Sequence, residues 1–161
     1  MDPLIAYFDF EEVLERPDGT PIPLGMTLLR LLRQGYRIGL SSSSLPPAML
    51  DHWLLSNGVP ADTTAYRYTR APDEADLDDD ELFLHHLDLL LFHTPVELVV
   101  TASPHRAAAV MERYSITALL FASPATARPE NRPGLRSWEE IEEQVSRRRI
   151  LRTKASVGED E

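Results

Sequence analysis

The residues in this chain best suited to chemistry are two carboxylates two positions apart, Asp9 and Glu11, in the run Tyr7-Phe8-Asp9-Phe10-Glu11-Glu12-Val13-Leu14. The segment that leads into them, Leu4 to Phe10, is short, apolar and continuous, which is the pattern of a strand buried on both faces of a parallel sheet. Carboxylates at the C-terminal edge of such a sheet stand where open α/β folds bind ligands. In a phosphatase built this way, Asp9 attacks phosphorus and the second acid protonates the leaving oxygen. The same residues also suit a helix cap or a solvated turn, so the pair by itself does not fix a function.

Other polar groups are weighed in the same way. Ser41 and Ser42 follow the apolar run Tyr36 to Leu40 and open a serine-rich loop that also suits the start of a helix at Pro46. The acidic run Asp76-Leu77-Asp78-Asp79-Asp80 reads as a solvated loop and helix N-terminus favoured by the helix dipole, with Asp78 and Asp79 as the alternative source of metal-binding acids. His85, His86 and Asp88 share a helix without zinc-site spacing and read as surface and boundary residues. Arg147, Arg148, Arg149 and Arg152 complement a helix C-terminus, or else touch phosphate or a partner. Neither glycine-rich phosphate-loop pattern occurs.

The elements that must position these groups alternate. Apolar runs at Leu4 to Phe10, Tyr36 to Leu40, Val96 to Val100 and Ile116 to Phe121 predict four strands. Between them, helical periodicity covers Leu24 to Gln34 with a stop at Gly35, the stretch from Pro46 and Pro47 to Asn57-Gly58, Glu81 to Phe92, and Pro104 to Tyr114. The alternation implies right-handed βαβ units and a Rossmann-like three-layer α/β sandwich around a central parallel sheet. Leu4 to Phe10 is placed centrally, with the strands ending at Ser41 and Thr101 beside it, so that Asp9, Ser42 and Thr101 surround one crevice.

Composition sets bounds. The chain has 161 residues, 43% of them apolar and 26% charged, as in an ordinary globular domain. There is no cysteine, which excludes disulfides, thiolate catalysis and cysteine zinc sites. A net charge of −10 argues against a nucleic-acid partner. No membrane-length apolar stretch and no signal-peptide pattern at Met1-Asp2-Pro3 is present, so a cytoplasmic location is expected and no membrane partner.

Taken in order, these segments resemble the haloacid dehalogenase (HAD) superfamily in a capless form, over about residues 4 to 124. Asp9-Phe10-Glu11 is similar to its first motif, with Glu11 in place of the second Asp. Gly35 to Ser42 is similar to the second, a strand ending in a Ser or Thr that hydrogen-bonds a phosphoryl group; Ser42 is the better match and Ser41 the alternative. Val99 to Arg106 has the shape of the acidic fourth motif. The resemblance implies catalysis by Asp9 and Glu11, substrate binding by Ser41 or Ser42, and Mg²⁺ held by the Asp9 carboxylate and the Phe10 carbonyl. The departures are that Thr101 and Ala102 stand where the family has its Asp pair, and that the sole lysine, Lys154, lies in the tail. Arg70 is the nearest stand-in for the family lysine, and Mg²⁺ binding is expected to be weak or absent.

The expected organisation is a HAD-like core over residues 1–124, a Pro-rich arm and C-terminal helix packing on it over residues 125–152, and a flexible tail over residues 153–161. Three functions are carried forward. The first is a divergent HAD-like protein with weak or lost phosphatase activity, kept as a binding or regulatory module for a phosphorylated ligand or protein partner. The second is an active Mg²⁺-dependent phosphohydrolase, and the third a structural or interaction protein, phage-encoded, that keeps only the scaffold. Oligomeric state is not legible.

Overall fold

The computed structural model describes residues 4–121; the expected arm and helix of residues 125–152 and the tail of residues 153–161 lie outside the described residues. The described chain runs β1 (Ile5–Asp9), α1 (Pro23–Leu32), β2 (Arg37–Ser42), α2 (Pro47–Ser56), β3 (Thr64–Thr69), α3 (Asp79–His93), β4 (Val96–Thr101), α4 (Pro104–Tyr114) and β5 (Thr117–Leu120). Single 3-10 turns, Ala61–Thr63 and Pro72–Glu74, stand before and after β3. The five strands form one sheet in the order β3-β2-β1-β4-β5, and every pairing is parallel. This is the Rossmann-like α/β architecture, with β1 at the centre and β2 and β4 beside it, as expected.

β3 is the element the apolar runs do not announce. Thr64-Ala65-Tyr66-Arg67-Tyr68-Thr69 alternates instead of running apolar, because an edge strand is only half covered. Elsewhere the boundaries shift slightly. α1 stops at Leu32, and Arg33-Gln34-Gly35 form the turn that leads to β2.

The sheet separates two cores. On one face Ala6, Phe8, Ile38, Leu40 and Val100 pack with Met26 and Leu29 of α1 and Leu50 and Leu54 of α2. On the other, Ile5, Tyr7, Val96 and Val99 pack with Phe83, Leu87 and Leu90 of α3 and Val110 of α4. All five residues of β1 are buried, which is why its sequence shows no alternation.

The loop after β1 is held as firmly as the sheet. Leu14 N–H and Glu15 N–H both donate to the Phe10 carbonyl, at 3.0 and 3.2 Å. Val13 and Leu14 are fully buried, and Glu12 takes a left-handed φ of 63° to turn the chain. Helix α1 lies against this loop so closely that a Cβ at Gly25 would fall 1.7 Å from the Val13 carbonyl oxygen, a contact only glycine permits. Trp53 of α2 fixes the far end of the loop by donating from Nε1 to the Gly19 carbonyl at 2.8 Å.

Candidate functional site

The C-terminal edge of the sheet gathers Asp9 from the end of β1, Ser42 from the end of β2 and Thr101 from the end of β4. Thr101 lies where a carboxylate was missed, and it acts as a donor: its hydroxyl gives a 2.9 Å hydrogen bond to Asp9 Oδ2 and accepts Ser103 N–H at 3.1 Å. The same Asp9 oxygen receives Arg106 Nη1 at 2.6 Å. Arg106 also donates from Nε to Asp80 Oδ1 at 2.5 Å, and its guanidinium lies 5.3 Å from the centre of the Phe83 ring. One arginine thus joins the end of β1, the first turn of α3 and the first turn of α4.

Asp9 is only 3% exposed. Burial pushes its carboxyl up to about 7, with the Glu11 charge adding to the effect, while Arg106 and Thr101 pull against it. Burial of Arg106 disfavours its charge, but the Asp9 and Asp80 carboxylates outweigh that and hold its pKa above the ordinary arginine value.

Glu11 does not turn toward Asp9's partners. Its Oε1 accepts four hydrogen bonds from the serine loop: Ser42 Oγ at 2.7 Å, Ser43 N–H at 3.0 Å, Ser44 N–H at 3.1 Å and Ser44 Oγ at 2.8 Å. Two successive backbone N–H groups and two hydroxyls converging on one oxygen make an anion-binding concavity, and a side chain of the protein itself fills it. Glu11 Oε2 is buried with no hydrogen-bond partner among the described residues.

The two serines face different ways, as neighbours on a strand must. Ser42 belongs to the Glu11 cluster. Ser41 lies under α3, where its Oγ is 2.8 Å from His86 Nδ1, and His86 Nε2 is 3.2 Å from Glu74 Oε2. Ser41 O–H donating to Nδ1 and Nε2–H donating to Glu74 satisfies all three groups with a neutral imidazole. His85 Nε2 reaches the other Glu74 oxygen at 3.2 Å, and Ala71 N–H donates to Glu74 Oε2 at 2.7 Å. Burial lowers the pKa of His86 against the pull of Glu74. Burial opposes ionisation of Glu74, but the Ala71 N–H and His86 outweigh it and hold its carboxyl below the usual range.

His86 is a correction to the expected surface and boundary position: it is 1% exposed, among Phe83, Leu87 and Leu90 on the inner face of α3. The reason is the carboxylate of Glu74, which gives the ring a buried partner that the helical pattern does not reveal.

Arg70 serves a different neighbourhood from the one expected of a lysine stand-in. Its guanidinium donates to the carbonyls of Glu74 at 2.9 Å and Leu77 at 2.7 Å, to Asp79 Oδ1 at 2.9 Å and to the Ser43 carbonyl at 3.4 Å. The cation on Asp9 is Arg106. The acidic run does start a helix: Asp78 is the N-cap of α3, accepting Glu81 N–H at 2.8 Å while Glu81 accepts Asp78 N–H at 3.1 Å. Asp78 and Asp79 are thereby engaged in capping and with Arg70, and Asp80 is the member of the run tied to Asp9, through Arg106. Among the described residues no group of three or more His, Cys, Asp or Glu side chains is arranged to hold a metal ion.

One signal for Arg106 was present in the sequence. A cation in the first turn of a helix, here two residues after Pro104, opposes the helix dipole and needs a carboxylate nearby to hold it. Two open cavities lie away from Asp9. One of about 520 Å³ is bounded by Glu15, Gly19, Met49, His52 and Trp53, and one of about 490 Å³ by Arg33, Tyr36, Arg37 and Asp62. Among the described residues no helix is long and apolar enough to cross a membrane.

Compared with models of known families, with curated proteins and with solved structures, the chain gives no significant match.

Proposed function

We propose that this chain is a divergent HAD-like protein whose phosphatase activity is weak or lost, kept in the cytoplasm as a binding or regulatory module. The observation that carries the reading is the engagement of Asp9. A nucleophilic carboxylate must be charged and open to the phosphorus it attacks, whereas Asp9 is 3% exposed, burial raises its carboxyl to about 7, and its Oδ2 is held by Arg106 and Thr101. Arg106, Thr101 and desolvation together make Asp9 part of a packed ion pair. The order of segments, with Asp9, Ser42 and Thr101 ending three adjacent parallel strands, supports descent from a phosphatase-like scaffold.

Magnesium does not fit the residues present at the position the resemblance implies. The Phe10 carbonyl is already shared between two backbone N–H groups, and a guanidinium lies against the Asp9 carboxylate where a dication would need open oxygens. The binding role is supported by the serine loop, whose donors converge on a carboxylate oxygen. An acidic or phosphorylated group of a ligand or protein partner has the same chemistry as the Glu11 side chain that fills it.

A generic phosphatase assay with p-nitrophenyl phosphate and Mg²⁺, on wild type, Asp9→Asn and Ala102→Asp, tests this. Turnover at the level of the enzyme-free control in wild type and Asp9→Asn is expected. Robust wild-type turnover abolished by Asp9→Asn would overturn the reading in favour of an active aspartyl-phosphate enzyme.

A further inference from the structure

We propose that the hollow at the N-terminal edge of the sheet binds a small organic phosphomonoester, with Arg33 and Arg37 holding its phosphate. Arg33 is the C-cap of α1 and Arg37 the first residue of β2, so the turn between them sets both side chains on the wall of one open cavity of about 490 Å³. Pro60, Asp62 and Thr63, from the turn before β3, and Tyr36 belong to the same wall. That volume falls in the range of small-molecule sites and is much larger than a phosphate ion needs, which leaves room for an organic body beside the anion. Asp9 lies at the opposite, C-terminal edge of the same sheet, and the inference does not rest on the phosphatase reading.

Three observations favour a ligand site over two solvated arginines. Arg67, Arg70 and Arg106 each pair with a carboxylate, yet among the described residues Arg33 and Arg37 pair with none, in a chain carrying 26 acidic and 16 basic side chains. Both are nonetheless held in place: Arg33 Nη1 donates to Thr63 Oγ1 at 3.4 Å, and the Arg37 guanidinium lies 5.4 Å from the centre of the Tyr66 ring. A guanidinium over a ring uses its face, so the N–H groups in its plane stay available to grip phosphate oxygens as a fork. The acid in the wall, Asp62, forms an ion pair with neither arginine, and two cations against one carboxylate leave a positive excess in a hollow of a molecule whose net charge is −10.

The test is isothermal titration with glucose 6-phosphate, with adenosine monophosphate and with inorganic phosphate, at one ionic strength set by KCl. It is run on wild type, on Arg33→Gln combined with Arg37→Gln, on Asp62→Asn and on Arg67→Gln. Wild type should bind at least one of the two monoesters with a dissociation constant of about 1 mM or tighter, and about threefold or more tighter than it binds inorganic phosphate. The double replacement should weaken that binding about tenfold or more, and Asp62→Asn should tighten it about threefold. Arg67→Gln, which removes a charge outside the hollow, should leave it nearly unchanged. The replaced side chains are exposed, and Asp62→Asn reads the same hollow by a gain that no misfolding imitates. Wild type that binds neither monoester overturns the proposal, as does inorganic phosphate binding as tightly as the better of them. A loss in Arg67→Gln equal to that of the double replacement also overturns it. So does binding that survives the double replacement and falls instead with Ser44→Ala, which would put the anion at the serine loop.

Discussion

Two polar clusters adjoin α3, one at its N-terminus and one along its inner face, and they solve the same problem in opposite ways. At its N-terminus, Asp9 and Asp80 share the full charge of Arg106. Along its inner face, Ser41, His86 and Glu74 form a chain in which the middle member is uncharged. A buried ion pair is held by Coulomb attraction against a large desolvation cost, so losing one partner strands a charge. A hydrogen-bonded chain around a neutral ring loses less when cut, but it is sensitive to the proton that would charge the ring. The difference teaches that the first cluster is defended by charge and the second by tautomer.

The comparison breaks most sharply at Arg106. Arg106→Met should destabilise the fold by about 3–5 kcal/mol in urea unfolding without Mg²⁺, because Asp9 is left buried and uncompensated. Adding Asp9→Asn should recover more than half of that loss; no recovery would mean the pair is not what holds this edge. A loss of about 3 kcal/mol is expected for Gly25→Ala, where the added methyl meets the Val13 carbonyl and the whole post-β1 loop must shift. An unchanged urea midpoint would show that the loop has slack.

His86→Ala should cost about 2–3 kcal/mol, leaving Ser41 and Glu74 with fewer partners, and His86→Gln should cost less by keeping one of the hydrogen bonds. The neutral cluster should also respond to acid. The pKa of His86 is lowered in the fold, so below its unfolded value of about 6.5 the unfolded chain takes up the proton first and stability falls with decreasing pH. Glu74, also lowered, adds stability above its unfolded value and loses it as pH falls further, in the same direction. His85, which also contacts Glu74, and Arg70, whose charge disfavours His86 protonation, face the same cluster. Melting curves from pH 7.5 to 5.5 should slope down in wild type and flatten in His86→Gln; equal slopes would remove His86 as the cause. The smallest effect belongs to a surface pair outside both clusters. Arg67 and Asp51 form an ion pair with the Asp51 side chain 56% exposed, and Asp51→Asn should change stability by no more than about 0.5 kcal/mol.

What the sequence made legible follows the same division between continuous and relational information. β1, β2 and β4 are inner strands with short apolar runs, which is what a buried parallel strand needs to be recognised, and β5 was read from its apolar residues although it is an exposed edge strand. β3 is covered on one side only, so Tyr66, Arg67 and Tyr68 alternate and look like loop. Asp9 was legible because its place depends on the strand it ends. Arg106 was only hinted at, by a cation in the first turn of a helix, since the carboxylate that holds it is 97 positions away. His86 was hidden for a related reason: Glu74, which makes its burial tolerable, comes from a short turn before α3. The serine loop was legible as the end of β2 and the approach to α2, and its donors converge on Glu11. That Glu11 fills it was not legible, because its partners Ser42, Ser43 and Ser44 lie more than 30 positions away.

The central place of β1 has a consequence in time. Its neighbours are β2, which follows within about 30 residues, and β4, whose Thr101 is 92 positions downstream of Asp9, with Arg106 later still. At a synthesis rate of roughly 5–20 residues per second, the ribosome makes Asp9 about 5–20 s before its counter-ion. Any pairing of β1, β2 and β3 within that interval leaves the β4 edge of β1 unpaired, and the carboxylate at its tip has no cation to bury with. The nascent chain must therefore wait with Asp9 in water, and closing the sheet with β4 and α4 is the same event as neutralising its centre.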